Sequence, residues 1–307
     1  MKCSFHPGYC IALPPGHPFP ISKYSLLKNR LCAEGVLTEV DLLRPEALDM
    51  DTLALVHTRE YLEKLEKSAL TPAEMRRLGM PWSEALWVRS RLAAGGTLLA
   101  ARAALEVGIA GNLAGGTHHA FADHGEGFCV LNDVAIAVAK LRRETAIRRA
   151  AIIDLDVHQG NGTAAIFEGD DAVFTFSMHG ERNYPLQKTR SSLDVGLADA
   201  AEDTGYLECL NRHLPQVLDA ARADIAFYVA GVDVASCDRY GKLSLSEEGI
   251  RLRDARVIEC VRDREIPLCI VLGGGYAPSR VRTAELHMHV FREAAAYEVR
   301  RRAQTAA

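Results

Sequence analysis

The 307-residue chain is 48% hydrophobic and 25% charged, which supplies a sizeable core and leaves no room for long disorder. Its net charge of -4 argues against a surface built to hold nucleic acid by its phosphates. No apolar run approaches the ~20 residues that cross a bilayer. The start, Met1-Lys-Cys-Ser-Phe-His-Pro-Gly-Tyr9, is interrupted by His6, Pro7 and Gly8 before a signal peptide's apolar segment forms. A cytoplasmic protein with no membrane contact and no direct nucleic-acid binding is expected. Its eight cysteines include no CxxC pair, so reduced thiols are expected in place of disulfides or a thiolate zinc site.

In chain order, Leu13-Pro-Pro-Gly-His-Pro-Phe-Pro20 is too proline-rich for a helix interior and reads as a surface loop. Ser22 is placed to cap a helix through Tyr24, Leu27 and Leu31 to about Glu34, with Gly35 as its stop. Residues 57–67 form a second short helix. The polar, proline-punctuated stretch Thr71 to Ser83 reads as a long loop. From Ser83 to Val107 an Ala/Leu-rich segment has helical spacing. Its Gly95-Gly96 pair would weaken an isolated helix and signals close packing against a neighbour.

After Gly111 the pattern alternates. Apolar runs at 112–114, 150–155, 172–176, 225–232 and 267–272 are separated by helical stretches near 129–144, 160–168, 204–222 and 246–263. This alternation specifies an α/β fold with a parallel sheet covered on both faces. The segment from Ala284 to Arg302 is a mixed-charge helix whose Arg300-Arg301-Arg302 reads as a solvated end. Without repeats, low-complexity tracts or a linker, residues 1–307 read as one domain.

The most informative stretch runs from Ile153 to Gly162. Asp154, Asp156 and His158 stand at alternate positions, so on an extended strand they share one face while Ile153, Leu155 and Val157 take the other. Two carboxylates and an imidazole suit zinc, iron(II) or manganese; the plainer reading makes the acids helix caps. In open parallel sheets ligands bind beyond the carboxyl ends of the strands. Four of the five apolar runs deliver polar residues there: Gly115-Gly-Thr-His-His119, Asp154 to His158, Gly231-Val-Asp233 and Gly273-Gly-Gly-Tyr276.

Together with Gly127-Phe-Cys-Val-Leu-Asn-Asp133, these motifs, in this order, resemble the signature of the histone deacetylase family, in its class IV-like and bacterial form. The resemblance spans most of the chain, from Leu78 to Tyr276, and implies the three-layer α/β/α arginase/deacetylase-like fold. It implies that Asp156, His158 and Asp233 hold one catalytic metal, normally zinc, with iron(II) as the alternative in cells. It makes His118 and His119 the acid/base pair, Tyr276 the group that polarises the substrate carbonyl, and Asp154 the support of His118. Gly127, Phe128, Tyr184, Tyr240 and Gly274 would line an acyl-lysine channel, and a structural potassium ion is expected near Asp154 and Ser177. The implied activity is hydrolysis of N-ε-acyl-lysine, acetyl or longer, in proteins, peptides or small molecules.

Two departures matter. Asn161 stands where better-known deacetylases carry an aspartate behind the second histidine; an amide accepts a proton but carries no charge, so His119 should have a lowered pKa. Thr117 replaces a bulkier residue of many relatives. Three other readings compete. An acetylpolyamine deacetylase needs an acid at the rim, and Tyr240 stands where such relatives use glutamate, which leaves Glu74 as a candidate. An arginase-like dimanganese hydrolase needs an acid where Gly160 sits. A non-catalytic acyl-lysine reader would have lost a ligand or the tyrosine, and this chain keeps all of them.

Overall fold

A computed structural model describes residues 1–305. Eight strands, β1 (Lys2–Ser4), β2 (Leu42–Leu43), β3 (Ile109–Asn112), β4 (Ala150–Asp154), β5 (Val173–Gly180), β6 (Leu193–Leu197), β7 (Ile225–Val229) and β8 (Leu268–Val271), form one sheet. Its order is β2-β1-β3-β8-β7-β4-β5-β6, and every pairing is parallel. The helices are α1 (Lys23–Ala33), α2 (Met50–Leu53), α3 (Arg59–Glu66), α4 (Pro72–Leu78), α5 (Glu84–Val107), α6 (Asp133–Arg143), α7 (Asn161–Ile166), α8 (Asp203–Ala221), α9 (Glu247–Arg262) and α10 (Arg280–Thr305).

The central strands read as continuous apolar runs because both faces are covered. Along β4, Ala150 and Ile152 join Val134 and Val138 of α6 and Leu98 of α5 in one core. Ala151 and Ile153 point the other way, into the core that includes α1, α8, α9 and α10. This is the α/β/α sandwich the alternation specifies. The Gly95-Gly96 pair is a close-packing site: a Cβ on Gly95 would stand 2.0 Å from the Glu46 carbonyl oxygen, and one on Gly96 2.0 Å from the Tyr9 hydroxyl.

Several elements differ from expectation. The stretch 71–83 is not one loop, since α4 occupies its first half. Thr71 accepts from the Glu74 N–H at 3.2 Å, Glu74 returns to the Thr71 N–H at 2.7 Å, and Pro72 fills the first turn, where its missing N–H costs nothing. A proline read as a breaker is here a helix start. Ser22 precedes α1 but makes no capping bond with its side chain. The run expected at 112–114 pairs earlier, as β3. Strands β1, β2 and β6 went unread, being three residues, two residues and an edge strand with exposed alternate positions. Finally, β4 ends at Asp154, so Asp156 and His158 lie in the loop beyond it.

The sheet order places the chemistry. β3, β8, β7 and β4 are consecutive neighbours, so the four polar loops that follow them emerge side by side along one edge.

Candidate metal and hydrolase site

The loop after β4 and the loop after β7 meet at Asp156, His158 and Asp233, whose donor atoms all lie within 4.8 Å of one another. His158 Nδ1 is 3.0 Å from Asp156 Oδ1 and 3.2 Å from Asp233 Oδ2. Each carboxylate is oriented by backbone: Gly274 N–H donates to Asp156 Oδ2 at 2.6 Å, and Val157 N–H donates to Asp233 Oδ1 at 2.9 Å. Asp233 Oδ2 is buried and accepts no well-aligned hydrogen bond, His158 Nδ1 at 3.2 Å being its polar neighbour. Both aspartates are fully buried, and such burial needs compensating positive charge. Burial and the neighbouring Asp156 push the Asp233 carboxyl up to about 7. Burial would lower His158, but hydrogen bonds and the charges of both aspartates outweigh it and lift it to about 10. An orphaned carboxylate oxygen, a surplus of negative charge and a hard-to-borderline donor set fit a divalent cation.

Two buried cations, unread from sequence, brace these loops. Arg253 of α9 donates to the carbonyls of Leu155 at 3.2 Å and Gly231 at 2.6 Å, tying together the backbone beside the two aspartates. Lys23 of α1 donates to the Gly273 carbonyl at 2.9 Å. Burial lowers its pKa to about 8 against the pull of Asp233 and Asp156.

The loop after β3 carries the histidine pair. Asp133, at the start of α6, holds it: Oδ1 accepts from the Thr117 N–H at 2.8 Å and Oδ2 from the Gly116 N–H at 3.1 Å, and the Thr117 hydroxyl also donates to Oδ1. Thr117 thus anchors the loop. The two imidazole rings lie 4.1 Å apart, centroid to centroid. His118 Nδ1–H donates to Asp154 Oδ2 at 2.7 Å, and His119 Nδ1–H to Asn161 Oδ1 at 2.6 Å. Burial would lower both. For His118 the carboxylates of Asp154 and Asp156 outweigh burial and lift it to about 9. His119 is held well below its ordinary value by burial and the charges of His118 and His158, against the Asn161 hydrogen bond, which raises it.

Asn161 is itself held. Its Nδ2 donates to Glu126 Oε1 at 2.6 Å, and Glu126 also accepts from the Tyr184 hydroxyl. Burial would raise Glu126, but bonds from His124, Tyr184 and Asn161 hold it down at about 2. A carboxylate facing the NH₂ end of the amide leaves only its oxygen for His119, which fixes the Nδ1–H tautomer and leaves Nε2 bare. Sequence reading passed over Glu126, two residues before Phe128, because its partners lie elsewhere in the chain.

Above these groups opens a cavity of about 480 Å³. It is lined by His118, His119, Asp156, His158, Asp233 and Tyr276, and by all five expected channel residues, Gly127, Phe128, Tyr184, Tyr240 and Gly274. Asp154 and Asn161 stand behind the histidines. Tyr276 packs between Phe128 and Tyr240, ring centroids 5.9 and 5.0 Å away. Burial and Asp233 push its hydroxyl well above the ordinary value, so it stays a proton donor. Phe128 has the left-handed φ of 67°, held by a bond from its N–H to the Leu78 carbonyl at 2.8 Å. Phe19 and Tyr24 complete the aromatic wall and were not foreseen. Glu74 lies outside the lining, occupied by its cap and by Lys64 at 3.1 Å. At Gly160 a Cβ would stand 2.3 Å from Asp154 Oδ2, which leaves no room for the acid a dimetal site needs.

The parallel sheet, the three-donor cluster and the histidine pair define an arginase/deacetylase-like α/β hydrolase. The histone deacetylase domain model matches residues 17–291. An uncharacterized protein of Picosynechococcus sp. is 45% identical over 89% of this chain and 91% of its own length. Histone deacetylase 2 of Arabidopsis thaliana is 31% identical over 87% of this chain and 71% of its own. The crystal structure of the HDA15 HD domain superposes with a TM-score of 0.78 at 21% identity, covering 95% of this chain and 90% of that one, which bears on the fold alone. The chain belongs to the histone deacetylase family, hydrolases that act on amides. Among the described residues no helix is long and apolar enough to cross a membrane.

Proposed function

We propose that this protein is a cytoplasmic zinc-dependent lysine deacylase, which hydrolyses the side-chain amide of N-ε-acyl-lysine, acetyl or longer, in a protein or peptide. One observation carries the reading: two buried carboxylates and an imidazole converge beneath an aromatic-walled cavity, with two differently supported histidines and a protonated phenol at their side. Asp156, His158 and Asp233 would hold one zinc ion, and iron(II) suits the same donors. Zinc in such a site supplies Lewis acidity, which acidifies water and polarises an acyl carbonyl. A structural potassium ion belongs to the same proposal; strand pairing sets Asp154 beside Ser177.

The chain's own residues do the rest. His119, low in pKa with Nε2 bare, takes the proton of the attacking water. Tyr276 donates its O–H to the acyl oxygen as negative charge grows there, an oxyanion-hole role. His118, kept protonated by Asp154, gives the departing amine its proton. Phe128 and Tyr184 flank the lysine methylenes and exclude water. The products are lysine and a carboxylate.

Acetylpolyamines are the poorer substrate, because the rim offers neutral Tyr240 and Glu74 is engaged elsewhere. The test is a panel of acyl-lysine peptides of rising chain length beside N-acetylputrescine, run with chelator and after zinc restoration. Zinc-dependent release of the carboxylate from the peptides is expected. No hydrolysis of any peptide, or faster hydrolysis of N-acetylputrescine, rejects the proposal.

A further inference from the structure

The cavity mouth has the opposite charge from the chain as a whole, which carries a net charge of -4. Asp156 and Asp233, buried at the floor, are the only acids in the lining. Its cations are Arg76 and Arg77, from the end of α4, together with Arg182 and Lys242. An adjoining hollow of about 300 Å³ shares Tyr240 and Tyr276 with the cavity and adds Arg239 and Arg280, again with no carboxylate.

Most acids near this collar are already engaged, the exposed Glu181 beside Arg182 being the exception. Glu74 caps α4 and pairs with Lys64; Glu126 accepts from Asn161; Asp238 accepts from the N–H groups of Tyr240 and Tyr276. Asp199 lies 3.4 Å from Arg182 and offsets part of its charge, and Lys242 donates to the Arg182 carbonyl at 3.0 Å, so the unpaired positive charge rests mainly on Arg76 and Arg77. Arg76 and Arg77 are exposed and have no ion pair among the described residues. Two exposed aromatic side chains, Tyr184 and Tyr240, share the lining with these cations.

A cleft ringed by one sign of charge attracts ligands of the other sign and repels its own, an effect that acts on encounter rate and disappears with salt. Resting on the lysine-deacylase reading, we propose that the mouth selects acyl-lysines set in acidic segments, with the carboxylates of neighbouring Asp or Glu residues lying chiefly against Arg76 and Arg77. The same collar turns away acyl amines that carry a second ammonium.

Three acetyl-lysine peptides that differ only in flanking Glu, Gln or Lys test this with the zinc-loaded full chain, each assayed at low and high ionic strength. The acidic peptide is expected to exceed the basic one in kcat/KM by about tenfold or more at low salt, with kcat nearly unchanged. The advantage should collapse near 1 M salt, where the screening length is ~3 Å. Arg76→Glu with Arg77→Glu should invert the order of the peptides; if that variant fails to fold, the wild-type salt series decides alone. Equal rates, a preference for the basic peptide, or a low-salt preference for single-stranded oligonucleotide over acidic peptide in competition overturns the inference while leaving deacylation intact. No hydrolysis of any of the three peptides removes the functional reading itself, and this inference with it.

Discussion

The two histidines of the site are adjacent in sequence and 4.1 Å apart in space, yet they sit in opposite electrostatic environments. His118 is backed by the carboxylate of Asp154 and rises to about 9; His119 is backed by an amide and falls well below its ordinary value. Environments that drive two like groups apart assign one as acid and the other as base. Part of the difference lies in the group behind each ring, and part in the charges of His118 and His158 acting on His119. Behind His119 the charge is not missing but displaced, since Glu126 lies on the far side of Asn161.

The largest expected effect erases the contrast altogether. A chelator that removes the metal should abolish turnover in every variant, and zinc should restore it; full activity in the metal-free protein would refute the shared floor. Next, His119→Ala should lower kcat by ~10³ to 10⁴, the upper range for a lost general base. His118→Ala should lower kcat by about 10²-fold, the lower end of that range, since water can protonate a leaving amine. Equal losses would mean that the pair does not divide the work.

The pH profile sharpens the comparison. In the proposed mechanism His118 acts protonated, so activity should be lost as pH rises through its folded pKa of about 9. Asp154→Asn removes a group that raises this pKa, so the alkaline limb should move to lower pH. His119 must be neutral, and its depressed pKa keeps the acidic limb below pH 6.5. Asn161→Asp should raise the pKa of His119 and move the acidic limb upward. It also sets a second carboxylate where Nδ2 now stands, 2.6 Å from Glu126, so stability should fall and return when Glu126→Gln is added. Melting curves for the two single variants and the double variant form the cycle that reads this coupling; strict additivity would count against it. The smallest effect belongs to Glu126→Gln alone. It frees the amide to turn and should lower kcat severalfold, with rescue by Glu126→Asp.

Much of the site was readable because its groups sit in short runs at strand ends. Asp156, His158, Asp233, the histidine pair and Tyr276 each follow an apolar run, and a parallel sheet sends all such ends the same way. Phe128 and Tyr184 line the cavity as the resemblance implied. The groups that escaped notice act through partners far along the chain. Arg253 bridges carbonyls 98 and 22 residues away, and Lys23 reaches a carbonyl 250 residues away. Nothing local marks an arginine on an amphipathic helix as fully buried. The 71–83 stretch was misread for a related reason: proline and threonine signal both a turn and a helix start, and the reciprocal Thr71–Glu74 bonds decide between them.

By itself the sequence determined the donor set and the class of fold, because donor types and the alternation of apolar runs with helical stretches are local properties. Tertiary structure alone decided which donors meet. Sheet order is not chain order: β8 and β7, late in the sequence, insert between β3 and β4, and only that insertion brings Asp233 and Tyr276 beside Asp156 and the histidine pair. It also decided the charge of the cavity mouth, since whether an arginine is free or paired depends on neighbours that side-chain packing supplies.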